Sequence, residues 1–113
     1  MNFETLDIDV NDVLDNVYYD ETSPSCLRWK VSGPGKTFHG VAGTKREDGY
    51  YSVAINNKRY LVHRVIWVLF HYKIDRLLVI DHIDRNHSNN FIDNLRLVTQ
   101  AENAKNKGPY RTK

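Results

Sequence analysis

The sequence predicts an α+β fold, in which a small antiparallel sheet with helices precedes a unit of strand, long loop, strand and helix. Residues 50–62 alternate apolar and polar side chains around Asn56-Asn57, as a β-hairpin does. Residues 63–73 are densely apolar, as in a buried helix. Residues 79–107 place two short apolar segments around a polar loop and then carry a helix start signal. We therefore divide the chain into residues 1–62 and 63–113, which we expect to form one compact unit.

The N-terminal segment is predicted to be helical. Between Asn2 and Val17, apolar residues recur at close to helical spacing, and Asp9 or Asn11 suits the N-cap position. We favour a helix that covers one side of the core. The alternative is an acidic flap that competes with a polyanion for the basic remainder of the chain.

The following stretch is predicted to form a small, three-stranded antiparallel sheet. The strand candidates are residues 18–19, 26–30, 39–43 (a weak pattern), 50–55 and 58–62. One face of such a sheet could be basic and partly aromatic, and could rest in a nucleic-acid groove with its cations on phosphates. The alternative is the ordinary polar, solvated face of a one-sided sheet. The candidate residues for the basic face are Lys45, Arg46, Tyr51, Lys58 and Arg59.

The linking helix, residues 63–73, is predicted to pack under the sheet. His63 and Arg64 lie at its start, where Arg64 and free backbone N–H groups could meet a phosphate. Equally, both side chains could be ordinary surface groups beside the helix.

Composition excludes several classes of protein. The single cysteine, Cys26, excludes an intramolecular disulfide and a zinc site built from cysteines. No apolar segment approaches the ~20 residues of a membrane span, and residues 1–10 lack a signal-peptide pattern. We therefore expect a protein that makes no membrane contact and works in a reducing cytoplasm.

The charge distribution indicates a polyanionic partner. Residues 1–25 contain seven acidic residues and no Lys or Arg. Residues 26–113 hold all 16 basic residues against seven acidic ones, a net charge of +9. A basic body of this kind favours nucleic acid, although an uneven solvated surface would give the same count.

The C-terminal unit consists of strand 79–82, loop 83–94, strand 95–99 and a helix from about residue 100 to 107. Thr99 and Glu102 match a capping box, and Gly108-Pro109 ends the helix. The box fixes the start of the helix and therefore places Asn103 one turn inside it.

A metal site with an adjacent base can be assembled from this unit. Asp81 and Asn103 offer the carboxylate and amide oxygens that Mg²⁺ accepts, with water and phosphate completing its shell. His82 could take a proton from water, and Asn94 could fix its tautomer. Adjacent strand residues point to opposite faces, so Asp81 and His82 can share a site only if the backbone departs from ideal extension. Asn106 is the alternative to Asn103 as a metal ligand.

These residues resemble the HNH, or ββα-metal, endonuclease family, and in particular its phage and intron-encoded homing endonucleases. The matching elements are Asp81-His82, Asn94-Leu95-Arg96 and Glu102-Asn103. The resemblance implies that Asp81 and Asn103 bind a divalent metal, Mg²⁺ or Mn²⁺, that His82 is the general base and that Asn94 orients it. It further implies cleavage that leaves 3′-hydroxyl and 5′-phosphate ends.

The sequence departs from the family pattern at two loop positions and after the last helix. Arg85 stands where the family often has Gly and His87 where it often has Pro, which predicts a different loop path. No helix-turn-helix follows the last predicted helix, so we expect modest specificity, a second recognition protein or a free-standing nuclease. We assign Asn86, Asn89 and Asn90 to loop stabilisation.

The resulting hypothesis is a metal-dependent DNA endonuclease that nicks as a monomer in a bacterial host cell, with double-strand cutting reserved for a dimer. The alternatives are an inactive DNA-binding regulator or accessory protein on the same scaffold, and a nuclease directed at RNA. The candidate DNA contacts are Lys45, Arg46, Lys58, Arg59, Arg64 and Arg96.

Overall fold

The computed structural model describes residues 8–72 and 78–99, together with Ala101. Within them the chain is mixed α and β, as predicted. The helices are α1 (Val10–Asn16), α2 (Val62–His71) and a short 3-10 helix (Ile92–Asn94). The predicted last helix, with Asn103 and Asn106, lies outside the described residues. The strands are β1 (Val17–Tyr19), β2 (Leu27–Trp29), β3 (Thr44–Lys45), β4 (Tyr51–Ile55), β5 (Lys58–Leu61), β6 (Leu78–His82) and β7 (Leu95–Thr99).

Helix α1 covers the core, as we favoured. The Asp9 carboxylate caps it, because Oδ1 accepts hydrogen bonds from the backbone N–H groups of Asn11 (2.9 Å) and Asp12 (3.2 Å). Val13 and Val17 are fully buried and join the main apolar cluster. The helix packs on α2 through its apolar face. Its acidic side chains therefore lie on the opposite face of the helix.

The strands of the N-terminal half form two sheets and not one. Strands β1 and β2 pair with each other, and β3, β4 and β5 form a separate antiparallel sheet in that order. The weak strand expected at residues 39–43 is reduced to an isolated bridge between Val41 and Arg28. A three-stranded sheet is therefore present, but its third strand is β3, which follows the weak segment.

The hairpin of β4 and β5 turns at Asn56 and Asn57, as predicted. Their φ angles are 51° and 67°, in the left-handed region that asparagine tolerates better than most residues. Its register pairs Val53 with Tyr60, and both side chains are buried. The apolar face of the sheet therefore rests on the core.

Helix α2 follows β5 without a linker and forms the centre of the fold. Its ten residues span about 15 Å, and no described helix is long and apolar enough to cross a membrane. His63 and Arg64 are only 5% and 6% exposed. The expected surface location of both side chains is therefore wrong, because the first turn of α2 is enclosed by its neighbours, and the phosphate contact of Arg64 stays a prediction. The buried apolar residues around α2 include Leu27, Trp29, Ile55, Tyr60, Val62, Val65, Ile66, Ile80 and Leu95.

Strands β6 and β7 form the predicted antiparallel hairpin. The register runs from Leu78 opposite Thr99 to His82 opposite Leu95, and β7 has the predicted bounds. Ile80 and Leu95 lie on the inner side of the hairpin and join the core cluster, and Val98, opposite Val79, is buried on the other side. This anchorage holds the start of the loop, where the candidate site residues lie, against the body of the protein.

Candidate active site

The two residues at the end of β6 are both buried. Asp81 is 8% exposed and His82 is 3% exposed. The ladder continues through both residues, so β6 keeps strand geometry up to the loop and the expected departure from extension is not found within it. Asp81 nevertheless interacts with His82, because its negative charge acts to raise the pKa of the imidazole. The register places Asp81 opposite Arg96 on one face of the hairpin and His82 opposite Leu95 on the other, with the charge of Asp81 acting on the imidazole across the strand.

The Asp81 carboxylate is held by Arg96 on the opposite strand. Nε and Nη2 of Arg96 donate to Oδ2 of Asp81 at 3.2 and 3.1 Å, so one carboxylate oxygen receives both bonds. Cross-strand pairing at Asp81 and Arg96 brings the two side chains together. Arg96, which we expected to contact DNA, is therefore tied to the candidate metal ligand.

The His82 imidazole is fixed by Asn90. Its Nε2 lies 2.9 Å from Asn90 Oδ1, and because an amide oxygen only accepts, Nε2 carries the proton. Nδ1 is then left with a lone pair, as a general base requires. Burial lowers the pKa of His82 below its ordinary value of 6.5, the bond to Asn90 acts to raise it, and the neighbouring His87 acts to lower it. The net shift keeps the imidazole neutral to lower pH.

Asn90 is itself anchored in the core. Its side chain is 1% exposed. Burial raises the pKa of the Cys26 thiol to about 11, and the nearby backbone N–H of Asn90 acts to lower it. The side-chain amide nitrogen of Asn90 is buried without a hydrogen-bond partner among the described residues. We assigned Asn90 to loop stabilisation from the sequence, so its contact with His82 was missed. In the sequence Asn90 is one of several asparagines in the loop, and nothing in that pattern shows which of them contacts His82.

Asn94 has a different contact from the one expected. Its Nδ2 donates to Asp84 Oδ1 (3.0 Å) and to the backbone oxygen of Asn89 (2.8 Å), and its Oδ1 accepts from the backbone N–H of Asp84 (3.0 Å). The described hydrogen bonds of this side chain therefore close the loop and do not reach His82. The 3-10 helix that ends at Asn94 turns its side chain back into the loop.

The Asp84 carboxylate accepts several of the hydrogen bonds that hold the loop together. Burial acts to raise its pKa, but hydrogen bonds from Asn86, Asn89 and Asn94 outweigh it, so the pKa lies below the ordinary value. Arg85 follows with φ = 67°, a left-handed conformation that costs a non-glycine residue roughly 1 kcal/mol. At this position the loop therefore has a backbone conformation that glycine adopts most easily, and the different loop path that we expected stays a prediction.

A group of rings surrounds His82. The rings of His82 and His63 are in edge contact, with centroids 4.7 Å apart. The centroid of the Tyr50 ring lies 5.9 Å from that of His82. Tyr50 also stacks on His87, with centroids 4.1 Å apart and planes within 9° of parallel. Burial raises the pKa of the Tyr50 hydroxyl, as do the charges of Asp48 and Asp81, so it stays protonated. The turn before β4 thereby contributes to the surroundings of the candidate base.

The basic face expected on the three-stranded sheet is divided by its register. Lys45 pairs with Tyr51 and Lys58 with Ile55, which places them on the side of Val53 and the core. Arg59 lies opposite Ala54, on the outer face. All three basic side chains are exposed, but they do not share one surface. Arg46 lies in the turn, paired with Asp48 at 2.8 Å.

The outer face of the sheet borders a cleft of about 340 Å³. Trp29 and Lys36 line its opposite wall, and the ammonium of Lys36 lies 5.3 Å from the Trp29 ring centroid. Arg59, Thr44 and Ser52 line the sheet side. Two cations and two hydroxyl groups therefore face this cleft.

The part of the chain described contains no group of three or more His, Cys, Asp or Glu side chains that could hold a metal ion. A site with Asp81 as its one carboxylate is compatible with this, because Mg²⁺ commonly takes one or two protein oxygens and keeps several waters. Asp81 fits that demand: it is a hard oxygen donor, nearly buried and already paired with a cation. The second expected ligand, Asn103, lies outside the described residues.

Comparison with known proteins points to one family. Residues 60–105 match the family model described as HNH endonuclease. Over 74 residues the chain is 38% identical to the SPbeta prophage-derived protein YosQ of Bacillus subtilis (strain 168), a candidate HNH homing endonuclease by its name; the match covers 66% of this chain and 42% of YosQ. Over 87 residues it is 32% identical to the DNA endonuclease I-HmuI of Bacillus phage SP01, covering 69% of this chain and 50% of that protein. The chain thus spans about half the length of these relatives, and no solved structure matches it.

Proposed function

Because this chain belongs to the HNH endonuclease family, through residues 60–105, we propose that it hydrolyses phosphodiester bonds of DNA with a divalent metal ion. In this proposal His82 is the general base, and one strand is cut in each binding event. The observation that carries it is the buried pair of His82 and Asn90, with the nearly buried Asp81 preceding His82 in β6. An imidazole whose protonated nitrogen is fixed, and whose other nitrogen keeps its lone pair, is prepared to accept a proton.

The metal would be held by Asp81 and Asn103. Mg²⁺, or Mn²⁺ in its place, would polarise the phosphoryl oxygen and stabilise the departing 3′-oxyanion when bound. Arg96 donates to Asp81 Oδ2 and so limits how that oxygen can be shared. We infer that Arg96 neutralises the Asp81 carboxylate when no metal is bound, and that a bound metal ion shares this role. The buried negative charge is then compensated with and without the metal.

The proton transfer depends on residues of the loop and the core. Water beside Nδ1 of His82 would lose a proton to that nitrogen as its oxygen attacks phosphorus. Asn90 would keep the opposite nitrogen protonated and stabilise the imidazolium that forms, since Oδ1 accepts from Nε2. The loop bonds of Asn94 and Asp84 hold the backbone on which Asn90 sits.

The DNA would lie across the basic part of the chain. Residues 26–113 carry a net charge of +9, and Lys45, Lys58 and Arg59 are exposed. Arg59 and Lys36 border the cleft on the outer sheet face, where a phosphate backbone would find two cations. Arg64 is left out of this surface because it is buried. A nick by a monomer is our expectation, in a phage-related homing enzyme acting inside a bacterial cell.

The proposed function is tested with supercoiled plasmid and the purified protein. We expect conversion to open circle with Mg²⁺ or Mn²⁺, and none when EDTA removes the metal. Linear product in the first encounter would contradict nicking by a monomer and favour a dimer. An intact plasmid together with a gel shift would contradict the endonuclease and favour a DNA-binding regulator.

The roles of Asn90 and Asn94 are separated by two alanine variants. Asn90→Ala is expected to slow cleavage by about 10–100-fold, because the imidazole loses the acceptor that fixes its tautomer. Since that bond raises the pKa of His82, its loss lowers the pKa, and the acidic limb of the pH–rate profile should move to lower pH. Asn94→Ala should instead lower the thermal midpoint and leave the limb in place.

The measurement is a single-turnover rate of plasmid nicking across pH for both variants. The assignment of Asn90 fails if its variant keeps the parent profile while Asn94→Ala shifts it. That result would restore the role first expected for Asn94.

A further inference from the structure

A second imidazole, that of His87, lies at the rim of the site beside His82. The two ring centroids are 5.8 Å apart, and His87 is half-buried where His82 is buried. We propose that His87 is a further catalytic residue, which donates a hydrogen bond to a non-bridging oxygen of the phosphate that is cut. The inference rests on the proposed function and names a phosphate contact in addition to the metal.

The His87 ring is held by one stacking contact, and the backbone that follows it is fixed by two hydrogen bonds of Ser88. Its ring stacks flat on Tyr50, which comes from the turn between β3 and β4. The next residue, Ser88, donates from Oγ to the backbone oxygen of Gly49 (2.6 Å) and from its N–H to Oδ1 of Asn86 (3.0 Å). An exposed histidine in a free loop would lose conformational freedom on meeting phosphate, whereas this imidazole is already oriented.

The spacing of the two rings suits one shared phosphate group. With ring centroids only 5.8 Å apart, the two imidazoles are close enough for their nitrogens to form hydrogen bonds of ~2.9 Å to groups on one phosphate. His82 would meet the attacking water and His87 an oxygen of the same phosphate. A neutral imidazole can donate from one ring nitrogen, so this contact does not require His87 to be charged.

The alternative is that His87 only packs the loop against the sheet. Packing would be satisfied by the Tyr50 stack alone, and any flat side chain would serve. Partial exposure of His87 beside a buried base favours the phosphate contact, because a group that only packs has no need to reach the mouth of the site.

The test compares His87→Ala, His87→Asn and His71→Ala in single-turnover nicking of supercoiled plasmid with Mn²⁺. His71 is an exposed histidine at the far end of α2, about 12 Å along the helix axis from His63, and serves as the matched control. We expect His87→Ala to be slower by roughly 10–100-fold, with His87→Asn recovering part of the rate through its amide donor. Binding of a labelled DNA duplex with Ca²⁺ in place of Mn²⁺ should change by less than about two-fold.

Each other outcome counts against the proposal. A His87→Ala protein that cuts at the parent rate overturns the inference and leaves the endonuclease standing. A slow His87→Asn protein with no recovery, or a loss of duplex binding as large as the loss of rate, indicates packing and also overturns it. A parent protein that leaves the plasmid intact overturns the proposed function, and the inference with it.

Discussion

Replacement of His82 by alanine is expected to slow DNA cleavage by about 10²–10⁴-fold, the range that a positioned general base contributes. The side chain is buried, its Nε2 is fixed by Asn90, and its pKa lies below the ordinary value because of burial. Water would then have to attack without a base at Nδ1. The rate of open-circle formation under single-turnover conditions measures the effect.

Loss of a buried side chain can also unfold the loop, so the His82 experiment needs two safeguards. Circular dichroism and duplex binding of His82→Ala should match the parent, and His82→Asn provides a second variant that leaves less empty space. His71→Ala, at an exposed position, should cut normally. A His82→Ala protein that cuts as fast as the parent with Mg²⁺ or Mn²⁺ would show that another group is the base.

Asp81→Asn is expected to lower the metal-dependent rate by roughly 10²–10³-fold, equivalent to several kcal/mol of charge stabilisation. The change keeps the shape of the side chain but removes the charge that would hold the cation. It should also abolish the rise in thermal midpoint on adding Mg²⁺, because that rise measures metal binding to the folded state. Rate and midpoint are both followed as the Mg²⁺ concentration increases.

The matched control for Asp81 is Asp93→Asn, an exposed acid of the 3-10 helix that lies in the same loop. It should keep both the rate and the response of the midpoint to Mg²⁺. An Asp81→Asn protein with an unchanged response to Mg²⁺ would mean that the metal is held by other residues. Loss of stability in the absence of Mg²⁺ is a separate effect, since Arg96 loses its charged partner.

Elements governed by local rules were predicted well from the sequence. The bounds of β7, the Asn56-Asn57 turn and the Asp9 cap follow from alternation, backbone preference and capping, each of which involves neighbours in the chain. The order of β6, loop and β7 could likewise be predicted, because a polar stretch between two short apolar segments admits few arrangements.

Contacts between distant residues could not be predicted in the same way. Nothing local distinguishes Asn90 from Asn94 as the partner of His82, since the loop has no periodicity and its path depends on the hydrogen bonds that Asn89 and Asn94 donate to Asp84. From the sequence Arg64 looked like a surface cation, because a charged residue is usually exposed. It is buried because it lies in the enclosed first turn of α2. The expected basic face of the sheet is divided for a related reason: register decides which strand positions lie opposite one another, and it places Arg59 on the other face from Lys45 and Lys58.

Strand β5 passes directly from Leu61 into α2 at Val62, one residue before the predicted boundary between the two parts of the chain, and this bears on how related chains can be recombined. Ser88 bonds to Gly49, Tyr50 stacks on His87, and the Tyr19 hydroxyl accepts from the backbone N–H of Ile92. A chimera that joins the N-terminal part of one relative to the C-terminal part of another would bring a foreign turn against the loop that carries the candidate site. Such an exchange would therefore alter the proposed nicking rate, unless residues 49 and 50 are transferred with the loop.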